Sequence, residues 1–110
     1  MALVLINTLQ EAKDHIFNDQ NVLLMASATF CPPCKLLTPV IESIANDFKD
    51  RNIVFLKVNL DDVRDVNDLL SVGSVPTLIF FKDGQELHRS IGFSDRESIV
   101  SRLKQFFPGE

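Results

Sequence analysis

The sequence predicts an α/β domain with a central mixed β-sheet and helices on both faces. Three observations carry that expectation. Short apolar runs alternate with amphipathic stretches from Leu3 to Leu70, the pattern of strands joined by crossover helices. One run, Val22–Ala28, is apolar enough at its start to be buried on both faces, as an interior strand must be. Asp83-Gly84 then separates two strand-like runs, a two-residue hairpin signal that adds an antiparallel pair to the sheet.

Taken in order, Leu3–Ile6 reads as a short strand. Thr8-Leu9-Gln10-Glu11 fits a capping box opening a helix, and Leu9, Ala12, Ile16 and Phe17 follow at helical spacing. The second strand is Val22–Ala28. After Cys31 comes the longest helical signal, with Leu36, Leu37, Val40, Ile41, Ile44, Ala45 and Phe48 on one face. Pro39 lies within it and should kink the helix without ending it, because the periodicity continues beyond it. Ile53–Asn59 is a third strand, and Asp61–Leu70 a polar helix with Val63, Val66, Leu69 and Leu70 inward. Thr77–Phe81 and Gln85–Ile91 form the hairpin. Ser94-Asp95-Arg96-Glu97 reads as a second capping box, with Ser94 as cap, opening a helix that carries Ile99, Val100, Leu103 and Phe106. Phe17, Phe48, Phe55, Phe80, Phe81, Phe106 and Phe107 fall on periodic positions and read as core; His15 and His88 read as surface residues.

The 110 residues suit a single domain, 1–110, folded from about Leu3 to Phe107. The formal charge of −4 and eleven scattered basic residues argue against a nucleic-acid binder, which needs clustered Lys and Arg. No apolar run approaches the ~20 residues of a membrane span. The N-terminus lacks a positive segment and a long apolar stretch, so a cytoplasmic location is expected. Asp61-Asp62 and Asp65 lack the residue order of a calcium loop and read as a solvated helix start. There is no phosphate-cradling Gly loop and no Ser/His/Asp spacing, and no metal is expected.

The only two cysteines, Cys31 and Cys34, would close so short a loop that a bridge between them stabilises by roughly 2 kcal/mol at best. Such a pair is a poor brace and a plausible chemical device. It lies between a predicted buried strand and a helix N-terminus, the context that gives C-x-x-C redox meaning. Thiol–disulfide exchange needs a thiolate, and unpaired N–H groups with the positive end of the macrodipole favour one there. Pro32 and Pro33 are tolerated in a first turn but remove two amide donors, leaving mainly those of Cys34 and Lys35. Lys35 adds a nearby charge. On this spacing Cys31, first and exposed, attacks a substrate disulfide, and Cys34, one turn inward, resolves the mixed disulfide. Two duller readings stand beside it. The cysteines could be small apolar residues at a turn, or part of a zinc site, although His15 and His88 lack paired ligand spacing.

The chain resembles the thioredoxin family over nearly its whole length. Ala28-Thr29-Phe30-Cys31-Pro32-Pro33-Cys34-Lys35 is similar to the family's active-site segment, and Pro39 to the proline within its active-site helix. Ser74-Val75-Pro76-Thr77 resembles the loop whose proline is cis and lies against the disulfide; Phe81-Lys82-Asp83-Gly84 resembles its hairpin turn, and Ile91-Gly92-Phe93 the loop beside its substrate groove. The resemblance implies the thioredoxin fold, protein-disulfide reductase activity through Cys31 and Cys34, and no bound cofactor. It implies that Val75 offers its backbone to an extended substrate in the manner of strand addition, with Pro76, Thr77, Gly92 and Phe93 in the binding site. Phe30, Pro32, Val75, Ile91, Gly92 and Phe93 would form the surrounding apolar patch. Taken alone, Pro76 reads as an ordinary proline at the start of a strand.

Partners implied are disulfide-containing proteins and a thioredoxin reductase, flavin- or ferredoxin-linked, or another thiol donor; a monomer is expected. Two departures bear on mechanism. Phe30 stands where the family usually has Trp, and Ser27 also marks a missing Trp. Met25 stands where the family has a buried Asp that accepts the proton of the second cysteine. Lys57 matches the lysine that neighbours that Asp. Either Lys57 acts directly on Cys34, or it reaches solvent and water relays the proton. A thiol oxidant or isomerase, and a binding module acting through its groove, remain the alternative functions.

Overall fold

A computed structural model describes residues 2–109. The element order is β1 (Leu3–Ile6), α1 (Leu9–Asn18), β2 (Asn21–Ser27), α2 (Pro32–Asp47), β3 (Val54–Asn59), α3 (Val66–Leu70), β4 (Thr77–Lys82), β5 (Gln85–Ile91) and α4 (Arg96–Phe106). The five strands form one sheet in the order β1-β3-β2-β4-β5. β3 pairs in parallel with β1 and β2, and β4 pairs antiparallel with β2 and β5. This is the mixed sheet the sequence predicts.

β2 is central, and all seven of its residues are buried. Its alternate side chains enter two separate cores. Leu23 and Met25 join Phe55, Leu78 and Phe80 beneath α2 and α4. Val22, Leu24 and Ala26 join Leu56, Val58 and Ile79 beneath α1 and α3. A strand with a core on each face has no solvent side, which is why its sequence is nearly continuously apolar.

Local chemistry sets the helix ends, and it departs from expectation in two places. Thr8 caps α1 by accepting from the Glu11 amide at 3.1 Å, as the capping box requires. α4 is capped by Asp95, not Ser94: the Asp95 carboxylate accepts from the Ser98 amide at 2.8 Å, while the Ser94 hydroxyl lies 3.4 Å from that of Ser90. The hydrogen bond from Ser98 holds the Asp95 carboxyl below the ordinary aspartate range. The second departure is Asp61–Leu70, where only Val66–Leu70 is helical. The amides of Asp62 and Val63 turn back to the Asn59 carbonyl, and the Asp61 amide donates to Asn59 Oδ1. Local bonding to Asn59 thus outcompetes the helix at its start. The short α3 ends at Ser71 in the left-handed region, where the Arg89 guanidinium on β5 donates to the Leu70 and Ser71 carbonyls. Arg89 also grips Glu86 through two nitrogens, which holds the Glu86 carboxyl below its ordinary range.

Phe48, Phe55, Phe80, Phe81 and Phe107 are buried, as their periodicity predicts. Phe17 is not: it is 55% exposed, because α1 turns that position toward the β4–β5 turn rather than the sheet. His88 is no free surface residue. It stacks on half-buried Phe106 with centroids 5.1 Å apart, over Phe80. His15 is half-buried and meets Asp19 at 2.7 Å.

Gly84 in the β4–β5 turn has φ +82, and a Cβ there would meet Phe17 Cδ1 at 3.3 Å. The exposed Phe17 ring can move aside, so the left-handed backbone dominates the cost of a side chain. Gly84→Ala is expected to lower the unfolding free energy by about 1–2 kcal/mol. Gly73, with open space around its Cβ position and no such φ, is the control. Gly73→Ala should leave stability unchanged or raise it by up to about 1 kcal/mol. Urea titration of the two variants against the parent checks the pair.

Candidate active site

β2 ends at Ser27, and the chain must leave a dry interior to reach α2. The end of β3 receives it. The Leu60 amide donates to the Ser27 carbonyl at 2.8 Å, and the Thr29 amide donates to an Asp61 carboxylate oxygen at 2.8 Å. Asn59 reaches the Thr29 hydroxyl at 3.3 Å and accepts from the Asp61 amide at 2.8 Å. Two residues later the chain arrives at Cys31, the N-cap of the 16-residue α2.

Cys31 and Cys34 are joined as a disulfide with Cα atoms 5.2 Å apart. The Cys34 amide donates to Cys31 Sγ at 3.2 Å, so the first sulfur takes the capping role a Ser or Asp oxygen usually fills. The Lys35 amide does not help, contrary to expectation. It donates to the Cys31 carbonyl at 3.2 Å as the first helical bond. With Pro32 and Pro33 lacking amide hydrogens, the Cys34 N–H is the donor left for that sulfur. Nor is Cys31 exposed: it is 5% accessible and Cys34 3%. Folding the capping side chain back over its own helix turn covers it, while Pro32, Pro33 and Lys35 stand in solvent.

α2 continues through Pro39 without a break. Pro39 leaves the Lys35 carbonyl without its helical donor, and the Thr38 hydroxyl donates to the Cys34 carbonyl at 2.8 Å.

On one side of the disulfide lies the loop between α3 and β4. The Val75–Pro76 peptide bond is cis, Pro76 is buried, and half-buried Val75 packs against the core cluster that holds both cysteines. Thr77 lies beneath the loop, 1% exposed, its hydroxyl donating to the Ser74 carbonyl at 2.6 Å. It therefore shapes the loop and does not face outward. The Gly92 amide donates to the Pro76 carbonyl at 2.8 Å, which draws Ile91 and Phe93 to the same rim. Exposure there is high for apolar residues: Phe30 95%, Ile91 68%, Phe93 49%.

A polar cleft of about 240 Å³ opens beside Cys34, lined by Ser27, Ala28, Thr29, Lys35, Thr38, Lys57 and Asn59. Lys57 stands on β3 in register with Met25 on β2. Met25 is fully buried, its sulfur 4.0 Å from the Thr38 hydroxyl. The site thus has an apolar floor and one polar side, and Lys57 is on that side. Thr38, Asn59 and Asp61 were not legible as site residues. The signal available was Asn59 at the end of a strand and Asp61 just past it, beside the end of the strand that leads to the cysteines.

A paired C-x-x-C at a helix start, under a loop with exposed apolar rims, has a close counterpart among known proteins. Residues 4–105 match the model of the Thioredoxin family. The chain belongs to that family. It is 40% identical over 84 residues to thioredoxin of Chlamydia trachomatis, covering 76% of this chain and 80% of that protein. It is 42% identical over 88 residues to thioredoxin-2 of Saccharomyces cerevisiae, covering 77% and 83%. Among solved structures it superposes on Malassezia sympodialis thioredoxin with a TM-score of 0.84 at 27% identity, covering 94% of this chain and 89% of that one. The Plasmodium falciparum protein gives 0.83 at 25% identity, covering 94% and 98%.

The fold is the thioredoxin fold, and the chain is a thioredoxin-like dithiol–disulfide oxidoreductase, a protein-disulfide reductase. Its partners as a family member are disulfide substrates and thiol donors. Among the described residues no helix is long and apolar enough to cross a membrane.

Proposed function

We propose that this thioredoxin-like chain works as a monomeric, single-domain cytoplasmic reductant of protein disulfides, with Cys31 as nucleophile and Cys34 as resolver. The observation that carries the assignment is the asymmetry of the pair: the Cys34 amide points at Cys31 Sγ, 3.2 Å away. In the reduced protein that donor and the α2 N-terminus favour the Cys31 thiolate. The thiolate attacks one sulfur of a substrate disulfide; a new S–S bond forms to Cys31 and the other substrate sulfur leaves as a thiolate. Cys34, having lost its proton, then attacks Cys31 Sγ. That releases the second substrate thiolate, and the Cys31–Cys34 bond replaces the substrate's. Two electrons pass to the substrate, and a flavin- or ferredoxin-linked thioredoxin reductase or another thiol donor returns them.

The substrate lies as an extended segment along Val75, whose backbone makes no hydrogen bond to another backbone group among the described residues. Pro76 and Gly92 shape that edge, while Phe30, Pro32, Ile91 and Phe93 cover the flanking apolar side chains. Pro33 and Lys35 complete the first turn of the active-site helix.

The Cys34 proton leaves by the polar cleft. Met25 closes the interior route, and Lys57, lining the cleft with Cys34, favours the resolving thiolate through its charge.

Cys34→Ser should accumulate a mixed disulfide with a disulfide-containing protein, visible as a reducible adduct by mass spectrometry, and Cys31→Ser should accumulate none. Equal trapping by both variants contradicts the assigned order. For the proton step, the second thionitrobenzoate released from Ellman's reagent reports attack by Cys34. Lys57→Met should slow that phase several-fold at neutral pH and restore it near pH ~9, where a cysteine ionises unaided. An unchanged pH profile means that solvent alone carries the proton.

A further inference from the structure

Phe30 is the most exposed large apolar side chain of the described residues, at 95%, and it immediately precedes Cys31. A lone exposed aromatic on a loop gains by folding down onto apolar surface, at roughly 25 cal/mol per Å² covered. Ile91 and Phe93 offer such surface at the rim. For Phe30 to stand in solvent, its backbone must be held from elsewhere.

The hold is the set of bonds between the end of β3 and residues 27–29. The Ser27 carbonyl is fixed by the Leu60 amide. The Thr29 hydroxyl is fixed by Asn59, and the Thr29 amide by the Asp61 carboxylate. Asp61 is itself oriented, because its own amide is bound to Asn59 Oδ1. Of these contacts only the one between Thr29 and Asp61 involves a charged group, which makes it the strongest. It is also the nearest of them to Phe30.

Resting on the disulfide-reductase reading above, we propose that Asp61 is a positioning residue for protein substrates: by holding the Thr29 amide it keeps Phe30 erect as one apolar wall beside the disulfide. Asp61 does not touch the sulfurs. It governs recognition of large substrates that lie between Phe30 and the Ile91–Phe93 rim, and leaves the intrinsic reactivity of Cys31 alone. A small disulfide needs no wall.

Asp61→Ala, Asp61→Asn, Phe30→Ala and the double variant Asp61→Ala/Phe30→Ala are compared on two substrates. One is insulin, as a disulfide-bonded protein; the other is Ellman's reagent, as a small disulfide. Asp61→Ala is expected to lower kcat/KM for insulin about tenfold, chiefly through KM, the size of one lost hydrogen bond to a charged group. The first-phase rate with Ellman's reagent should stay within about twofold. Asp61→Asn keeps an acceptor oxygen and should recover most of the loss. The double variant should be no worse on insulin than Phe30→Ala alone, because Asp61 acts through Phe30. Additive losses in the double variant overturn the proposal. So does a parallel loss on both substrates, or no loss on insulin. A parent protein that reduces neither substrate overturns instead the reductase reading on which it rests.

Discussion

β2 runs between β3 and β4 with a core on each face, and all seven of its residues are buried. Polar chemistry can begin only where the strand emerges, and there the chain is caught by the end of β3 before it enters α2. The cysteine pair therefore sits at the lip of the core, on rigid elements. Catalytic geometry held by a buried strand and a long helix is better defined than geometry carried on a free loop.

The surroundings of the disulfide divide by polarity. Toward Val75, Pro76 and the Ile91–Phe93 rim the surface is apolar and suits an extended chain. Toward Thr38, Lys57 and Asn59 it is polar and suits the passage of a proton. Met25 sharpens that division. A fully buried thioether beneath the helix needs no hydrogen-bond partner, whereas a carboxylate in its place would have to be desolvated. Cys31 and Cys34 are then told apart by their surroundings: the Cys34 amide serves the first sulfur, and the polar cleft borders the second residue.

The strands and long helices were legible because burial imposes periodicity: β2 on two faces, α2 and α4 on one. What escaped was set by competition between local polar groups. Asp61–Leu70 carries a helical pattern, yet Asn59 takes the Asp61 amide on its side chain and the Asp62 and Val63 amides on its carbonyl, and helix forms only from Val66. Ser94 fits a capping box with Glu97, but Asp95 is an equally good N-cap residue, and only the position of the Ser98 amide separates them. Phe17 repeats at helical spacing but falls on the edge of the buried stripe. At the site, C-x-x-C was legible through residue type and its place before a helix, whereas Val75-Pro76 was legible only through the family resemblance. The covered state of Cys31 was not legible, because it depends on a capping sulfur folding back over its own turn. Nor was the Thr29–Asp61 contact, which joins residues 32 positions apart.

The direction of electron flow follows from the relative stability of the dithiol and the disulfide. Equilibrating the Cys31–Cys34 couple against glutathione and dithiothreitol buffers measures that difference as a reduction potential. A reductant of protein disulfides should lie near −270 mV, roughly the potential typical of thioredoxins. A potential of about −120 to −180 mV, the range of dedicated oxidants and isomerases, would contradict it.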